Sequence, residues 1–224
     1  IKLPDVILLS LQVSGMQSIN LGVSDKDVLE QYNLVWIITD YDIDVVRLPR
    51  FAEEITIETE ALNYNRLFCY RRFTIYDESG QEIIHMVATF VLMDRDSRKV
   101  HPVEPEIVAP YQSEFSKKLI RGPKYQELEE AISKDYHVRF YDLDMNGHVN
   151  NSKYLDWVFE VMGADFLTNH IPKKINLKYV KEVRPGGMIT SSYELNGLES
   201  NHQVTSDGDI NAQAKITWQE INKD

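Results

Sequence analysis

The apolar positions of the opening segment recur at helical spacing. Leu3, Val6, Ile7 and Leu11 share one face, Pro4 suits a first turn and Gly22 can end the run, so Leu3 to Leu21 reads as a buried helix. From Leu34 to Asp94 the period becomes two. Tyr41 to Val45, Ile55 to Thr59 and Leu67 to Thr74 each alternate, and Asp77-Glu78-Ser79-Gly80 is a turn signal before a long strand from Glu82 to Met93. The predicted pattern is one helix followed by an antiparallel sheet.

Between Asp94 and Glu130 no period is sustained, and Pro102, Pro105, Pro110 and Pro123 interrupt the stretch, which marks a connection. The pattern then begins again. Tyr136 to Leu143 reads as a strand. Asn150 to Phe166 reads as an amphipathic helix with Tyr154, Trp157, Val158, Val161 and Met162 on one face, and strands are expected at Ile175 to Val183, Met188 to Leu195 and Ile210 to Trp218. The repeat suggests a duplication, supported locally by laying Arg50-Phe51-Ala52-Glu53-Glu54-Ile55-Thr56 on Arg184-Pro185-Gly186-Gly187-Met188-Ile189-Thr190. On that basis residues 1–94 form one module, 95–130 a connection and 131–224 a second module. A strand matching Tyr136 to Leu143 is expected before the first helix and is missing from the chain as given.

Composition narrows the classes. The 24 Lys+Arg against 35 Asp+Glu give a formal net charge of −11, which argues against non-specific nucleic-acid binding. Cys69 is the single cysteine, so no disulfide forms within the chain. No apolar run approaches the roughly 18 residues of a membrane span, and the opening residues lack the signature of a signal or transit peptide, so a cytoplasmic location is expected.

The densest polar cluster is Asp142-Leu143-Asp144-Met145-Asn146-Gly147-His148-Val149-Asn150-Asn151, between a predicted strand and a predicted helix. A capping asparagine accounts for part of it, but not for a histidine and two acids in the same turn. A calcium loop fits Asp142-x-Asp144-x-Asn146-Gly147 and then fails, because the twelfth position is Lys153 rather than a bidentate Glu. His148, His170 and Cys69 lack zinc-ligand spacing, so no metal or cofactor is expected. The chain also has no G-x-S-x-G elbow, P-loop or dinucleotide fingerprint, and Cys69 in an alternating strand reads as a small apolar filler. Acid–base chemistry on water remains, for which a histidine and a carboxylate suffice.

The run Asp144-Met145-Asn146-Gly147-His148-Val149-Asn150-Asn151-Ser152-Lys153-Tyr154-Leu155-Asp156-Trp157, with Glu160, resembles the acyl-ACP thioesterases of plant plastids and their bacterial relatives. Trp36-Ile37-Ile38, Ile43 to Glu54, Arg71-Arg72, Phe90 to Asp94 and Leu177 to Glu182 look like further landmarks of that family. The resemblance implies an α+β tandem hotdog, two long helices each wrapped by an antiparallel sheet. It implies hydrolysis of the thioester joining a fatty acyl chain to acyl carrier protein. By position, Asp144, Asn146 and His148 match the family's catalytic loop and Glu182 its catalytic glutamate. The residue after that glutamate, often cysteine in plant members, is Val183 here, so a cysteine nucleophile is excluded and water must attack.

Under that resemblance Glu182 acts as general base, His148 and Asn146 position water and thioester, and Asp144 holds the loop. Amides near Asn150, where the helix starts, polarise the carbonyl. Asn150 and Trp157 are the expected substrate-binding residues, although Trp157 is equally a core residue by its spacing. An acidic carrier protein needs a basic face on this acidic chain; Lys173, Lys174, Lys178, Lys181 and Arg184 are candidates, as are Arg71-Arg72. Acyl-CoA hydrolysis and a non-catalytic acyl-binding sensor are the alternatives, and a monomer or a homodimer fits.

Overall fold

The first helix begins where Lys2 N–H reaches Asp5 Oδ2 at 3.3 Å, with Leu3 and Pro4 opening the first turn. In a computed structural model describing residues 2–144 and 147–221, the chain divides into two units. One comprises Ile1–Tyr41 and Leu48–Arg121, the other Asp42–Arg47 and Gly122–Asp224.

The first unit opens with α1 (Leu3–Asn20) and α2 (Asp25–Tyr32), followed by β1 (Leu34–Val45), whose end from Asp42 belongs to the second unit. Leu3, Val6 and Ile7 are buried on α1, and buried Ser10 and Ser18 return their hydroxyls to the carbonyls of Val6 and Ser14. The α2 helix was not expected from apolar periodicity. Its signal is a capping box, in which Ser24 N–H donates to Asp27 Oδ2 at 2.9 Å and Asp27 N–H to Ser24 Oγ at 3.2 Å. Then come β2 (Thr56–Tyr64), β3 (Phe68–Tyr76), β4 (Glu82–Asp94), β5 (Val100–His101), α3 (Pro105–Val108) and β6 (Glu114–Phe115). The sheet runs β6-β2-β3-β4-β1, with β5 on β4, and α1 packs along β2. The β3–β4 hairpin closes at the predicted turn, where Asp77 Oδ1 receives the N–H groups of Ser79 and Gln81, each at 3.0 Å. Val28, Leu34, Leu92 and Ile107 form a buried cluster against Trp36.

The second unit contains β7 (Ile132–His137), α4 (Asn151–Glu160), α5 (Ala164–Asn169), β8 (His170–Tyr179), β9 (Met188–Asn196), β10 (Glu199–Ser206) and β11 (Asp209–Glu220), in the antiparallel order β8-β11-β10-β9-β7. The expected strand from Tyr136 to Leu143 stops at His137, because Arg139 N–H donates to Asp142 Oδ2 at 2.8 Å and folds Phe140–Asp142 into a 3₁₀ turn. The expected helix from Asn150 to Phe166 is two helices, broken at Gly163 with φ +84°. Strand β10 was not anticipated, since its inward positions include Ser200 and His202, which hide the alternation. The α4 helix lies on β9 and β10, with Ser191 Oγ donating to the carbonyl of Trp157 at 3.0 Å. Phe159 and Phe166 both meet Trp218 edge-on, at 5.7 and 5.0 Å between ring centroids. The architecture is α+β, a tandem of hotdog units.

Candidate active site

Asp142, 1% exposed, anchors the stem of the polar loop. Its carboxylate takes Arg139 Nη2 at 3.2 Å and lies 4.0 Å from Lys153 Nζ, while its carbonyl accepts Asn150 N–H at 2.9 Å. Leu143 and Val149 then form an antiparallel bridge that closes the loop. Asp144 N–H donates to His148 C=O at 2.7 Å, and His148 N–H returns to Asp144 Oδ1 at 3.0 Å. Gly147 supplies the φ of +78° that the turn requires. Asp144 and His148 are thus brought together. Asn146 lies outside the described residues. Asn150 caps α4, its side-chain oxygen receiving Ser152 N–H and Oγ–H, both at 3.0 Å, and its carbonyl receiving Lys153 N–H at 2.9 Å.

Glu182 was expected on a strand reaching Val183, but β8 ends at Tyr179 and Glu182 lies in the segment beyond it. The ladder stops because Val180 N–H and Lys181 N–H both donate to the carbonyl of Asn211, at 2.8 and 3.2 Å. Asn211 Nδ2 lies 3.2 and 3.4 Å from the carbonyls of Lys181 and Glu182. From the helix side, Tyr154 Oη accepts Val183 N–H at 3.0 Å. The Tyr154 hydroxyl is pushed up to about 12, chiefly by burial.

These two pinned segments meet, with His148 Nδ1 standing 3.2 Å from Glu182 Oε1. The side chains are 45% and 41% exposed, so the pair adds little to stability and is open to a substrate. A proton on Nδ1 directed at the carboxylate leaves Nε2 as the second working nitrogen.

The model of the acyl-ACP thioesterase N-terminal domain matches residues 1–111, and that of the C-terminal domain matches residues 125–220. The chain belongs to the acyl-ACP thioesterase family. A structure described as an oleoyl thioesterase from Lactobacillus plantarum shares 32% identity and a TM-score of 0.93, over 99% of this chain and 90% of that one. The 12:0-ACP thioesterase from Umbellularia californica shares the fold, with TM-score 0.86 and 20% identity over 98% of this chain and 90% of that one. The chloroplastic oleoyl-acyl carrier protein thioesterase 2 of Arabidopsis thaliana is 26% identical over 200 residues, 83% of this chain and 53% of that protein. The chain thus spans about half the length of the curated relatives it matches.

Of the residues expected to form basic faces, Lys174, Lys181 and Arg72 are paired with acids and Arg71 is buried. Lys174 Nζ contacts Asp42 at 2.8 Å and Asp44 at 3.0 Å, and Lys181 pairs with Asp209. Arg71 is 8% exposed and holds the first unit together: it donates to Gln17 Oε1 at 2.6 Å and Thr59 Oγ1 at 2.9 Å, and lies 5.1 Å from the ring centre of Tyr111. Arg72 pairs with Glu60. Trp157, 5% exposed, packs against Tyr154 at 5.5 Å as a core residue. Burial pushes the Cys69 thiol up to about 12, so it stays protonated at neutral pH and is a poor nucleophile. Asp142, Tyr154 and Asn211 were not singled out from sequence as supports of the site. Asp142 carried a signal, since it opens the same polar run, and Asn211 carried none. Among the described residues no single helix is long and apolar enough to cross a membrane.

Proposed function

We propose that the chain hydrolyses fatty acyl-acyl carrier protein, releasing the free fatty acid and the carrier's thiol. The observation that carries this reading is the 3.2 Å contact between His148 Nδ1 and Glu182 Oε1 in a chain of this family. Glu182 takes a proton from a water held beside it, and the water oxygen attacks the thioester carbonyl. The tetrahedral intermediate collapses with cleavage of the C–S bond, and the proton passes to the departing sulfur. His148 orients Glu182 and, with Asn146, positions the water and the thioester, and Asp144 holds the loop. Asn150 sets the helix start beside the acyl carbonyl, and Trp157 backs the acyl chain. Water is the attacking species because Val183 follows Glu182 and the Cys69 thiol is held protonated.

The names of the relatives support a carrier-protein substrate. The test supplies mixed acyl-ACPs and, separately, acyl-CoAs of the same chain lengths, and profiles the free fatty acids. Release from acyl-ACP is expected to dominate. Turnover of acyl-CoA alone would reassign the carrier, and acyl binding without release would make the chain a sensor.

A further inference from the structure

Asn211 lies on β11 with 1% of its surface exposed. The β10–β11 register passes from Val204↔Ala212 to Thr205↔Ile210, so Asn211 is the extra residue of a bulge. Neighbouring Asn211 and Ala212 are therefore both buried, where a regular strand would turn one of them outward. On its other side Asn211 ends the β8 ladder, whose last pair is Tyr179↔Ala212.

This one residue receives the N–H groups of Val180 and Lys181 on its carbonyl and reaches the carbonyls of Lys181 and Glu182 with its amide nitrogen. Both side-chain partners are carbonyls, which fixes the amide with its nitrogen toward them. Its Oδ1 is buried and meets no hydrogen-bond partner among the described residues. Leaving a buried oxygen unpaired costs free energy, and the amide's contribution lies in the two carbonyls its nitrogen reaches.

We propose that Asn211 is the positioning residue for Glu182, fixing the main chain of Lys181 and Glu182 so that the carboxylate meets His148; this rests on Glu182 being the catalytic base. Tyr154 braces the same segment at Val183. Without the Asn211 amide, two carbonyls lose their donor and the glutamate drifts, although nothing that contacts substrate has been removed.

The test measures kcat and KM on acyl-ACP for Asn211→Ala, Asn211→Ser, Glu182→Ala and the Asn211→Ala/Glu182→Ala double variant. Asn211→Ala is expected to lower kcat about 10- to 100-fold with KM within about threefold, as a small misplacement of a catalytic group does. Asn211→Ser keeps one donor and should recover part of the loss. In the Glu182→Ala background, Asn211→Ala should reduce residual turnover by less than about twofold, because a residue acting only through Glu182 has nothing left to position. Wild-type kcat in Asn211→Ala, or an equal loss in both backgrounds, would overturn the proposal. Should Asn211→Ala fail to fold, Asn211→Ser carries the same comparison, and failure of both to fold makes the residue purely structural and also overturns it. Wild-type turnover in Glu182→Ala would instead sink the reading of Glu182 as base.

Discussion

The two units each bring an imidazole close to a glutamate. In the first, His85 Nδ1 is 3.6 Å from Glu82 Oε1, with side chains 33% and 49% exposed; in the second, His148 and Glu182 are 3.2 Å apart and 45% and 41% exposed. Distance and exposure hardly separate them. What differs is the support. His85 and Glu82 are near neighbours in sequence at the β4 end of an open polar groove of about 430 Å³, shared with Glu58, Glu60, Arg72, Thr74 and Tyr76. His148 and Glu182 come from separate segments whose main chains are tied down by Asp144, Asn211 and Tyr154. His85 and Glu82 are held by one β3–β4 ladder, whereas the second pair is assembled from two segments distant in sequence, each anchored by its own side-chain contacts.

The sharpest way to break the comparison is alanine at each histidine and glutamate. His148→Ala and Glu182→Ala should each lower kcat by about 10²- to 10⁴-fold, the usual loss for one positioned acid or base. His85→Ala and Glu82→Ala should leave acyl-ACP turnover within about twofold, since neither residue belongs to the proposed site. Loss of turnover on removing His85 would erase the distinction.

A third histidine sharpens it through pH. His202 is 2% exposed, and its Nε2 lies 2.7 Å from Ser200 Oγ, which receives Trp218 Nε1–H at 2.7 Å. Burial lowers its pKa to about 3. The folded protein keeps this ring neutral while the unfolded chain protonates it near pH 6.5, so its stabilisation is full above about 6.5 and declines as pH falls toward about 3. At pH 5 the loss is about 2 kcal/mol, and urea denaturation of His202→Gln should show a flatter slope between about pH 4 and 6. An unchanged slope would remove His202 as its source.

The smallest effect is expected at Gly147. An added Cβ there meets no atom within 4 Å, so Gly147→Ala carries only the strain of φ +78°. It should lower stability by about 1 kcal/mol in thermal denaturation, with a drop in kcat as His148 shifts. Unchanged stability and rate would mean the turn does not hold the imidazole.

Much of the fold was legible because burial imposes a period. Helix α1 and the β3–β4 hairpin follow from alternation and turn residues. Strand β10 was hidden because Ser200 and His202 take inward positions that apolar residues usually occupy. Of the candidate site, the Asp144–His148 loop was legible because its hydrogen bonds are local. Arg71 looked like a docking cation beside Arg72, yet lies inward under α1 and Tyr111; adjacent strand residues face opposite ways, and sequence does not say which way.

By itself the sequence determined the repeated helix-and-sheet plan, the family, and a loop whose glycine, acid and histidine must turn tightly, since all of these depend on near neighbours along the chain. Only the tertiary structure decided that Glu182 leaves its strand to meet His148, that a bulge at Asn211 makes it leave, and that lysines 174 and 181 are already paired with acids. Those outcomes depend on strand register and on groups distant in sequence, and a one-residue change of register reverses the face on which every side chain stands.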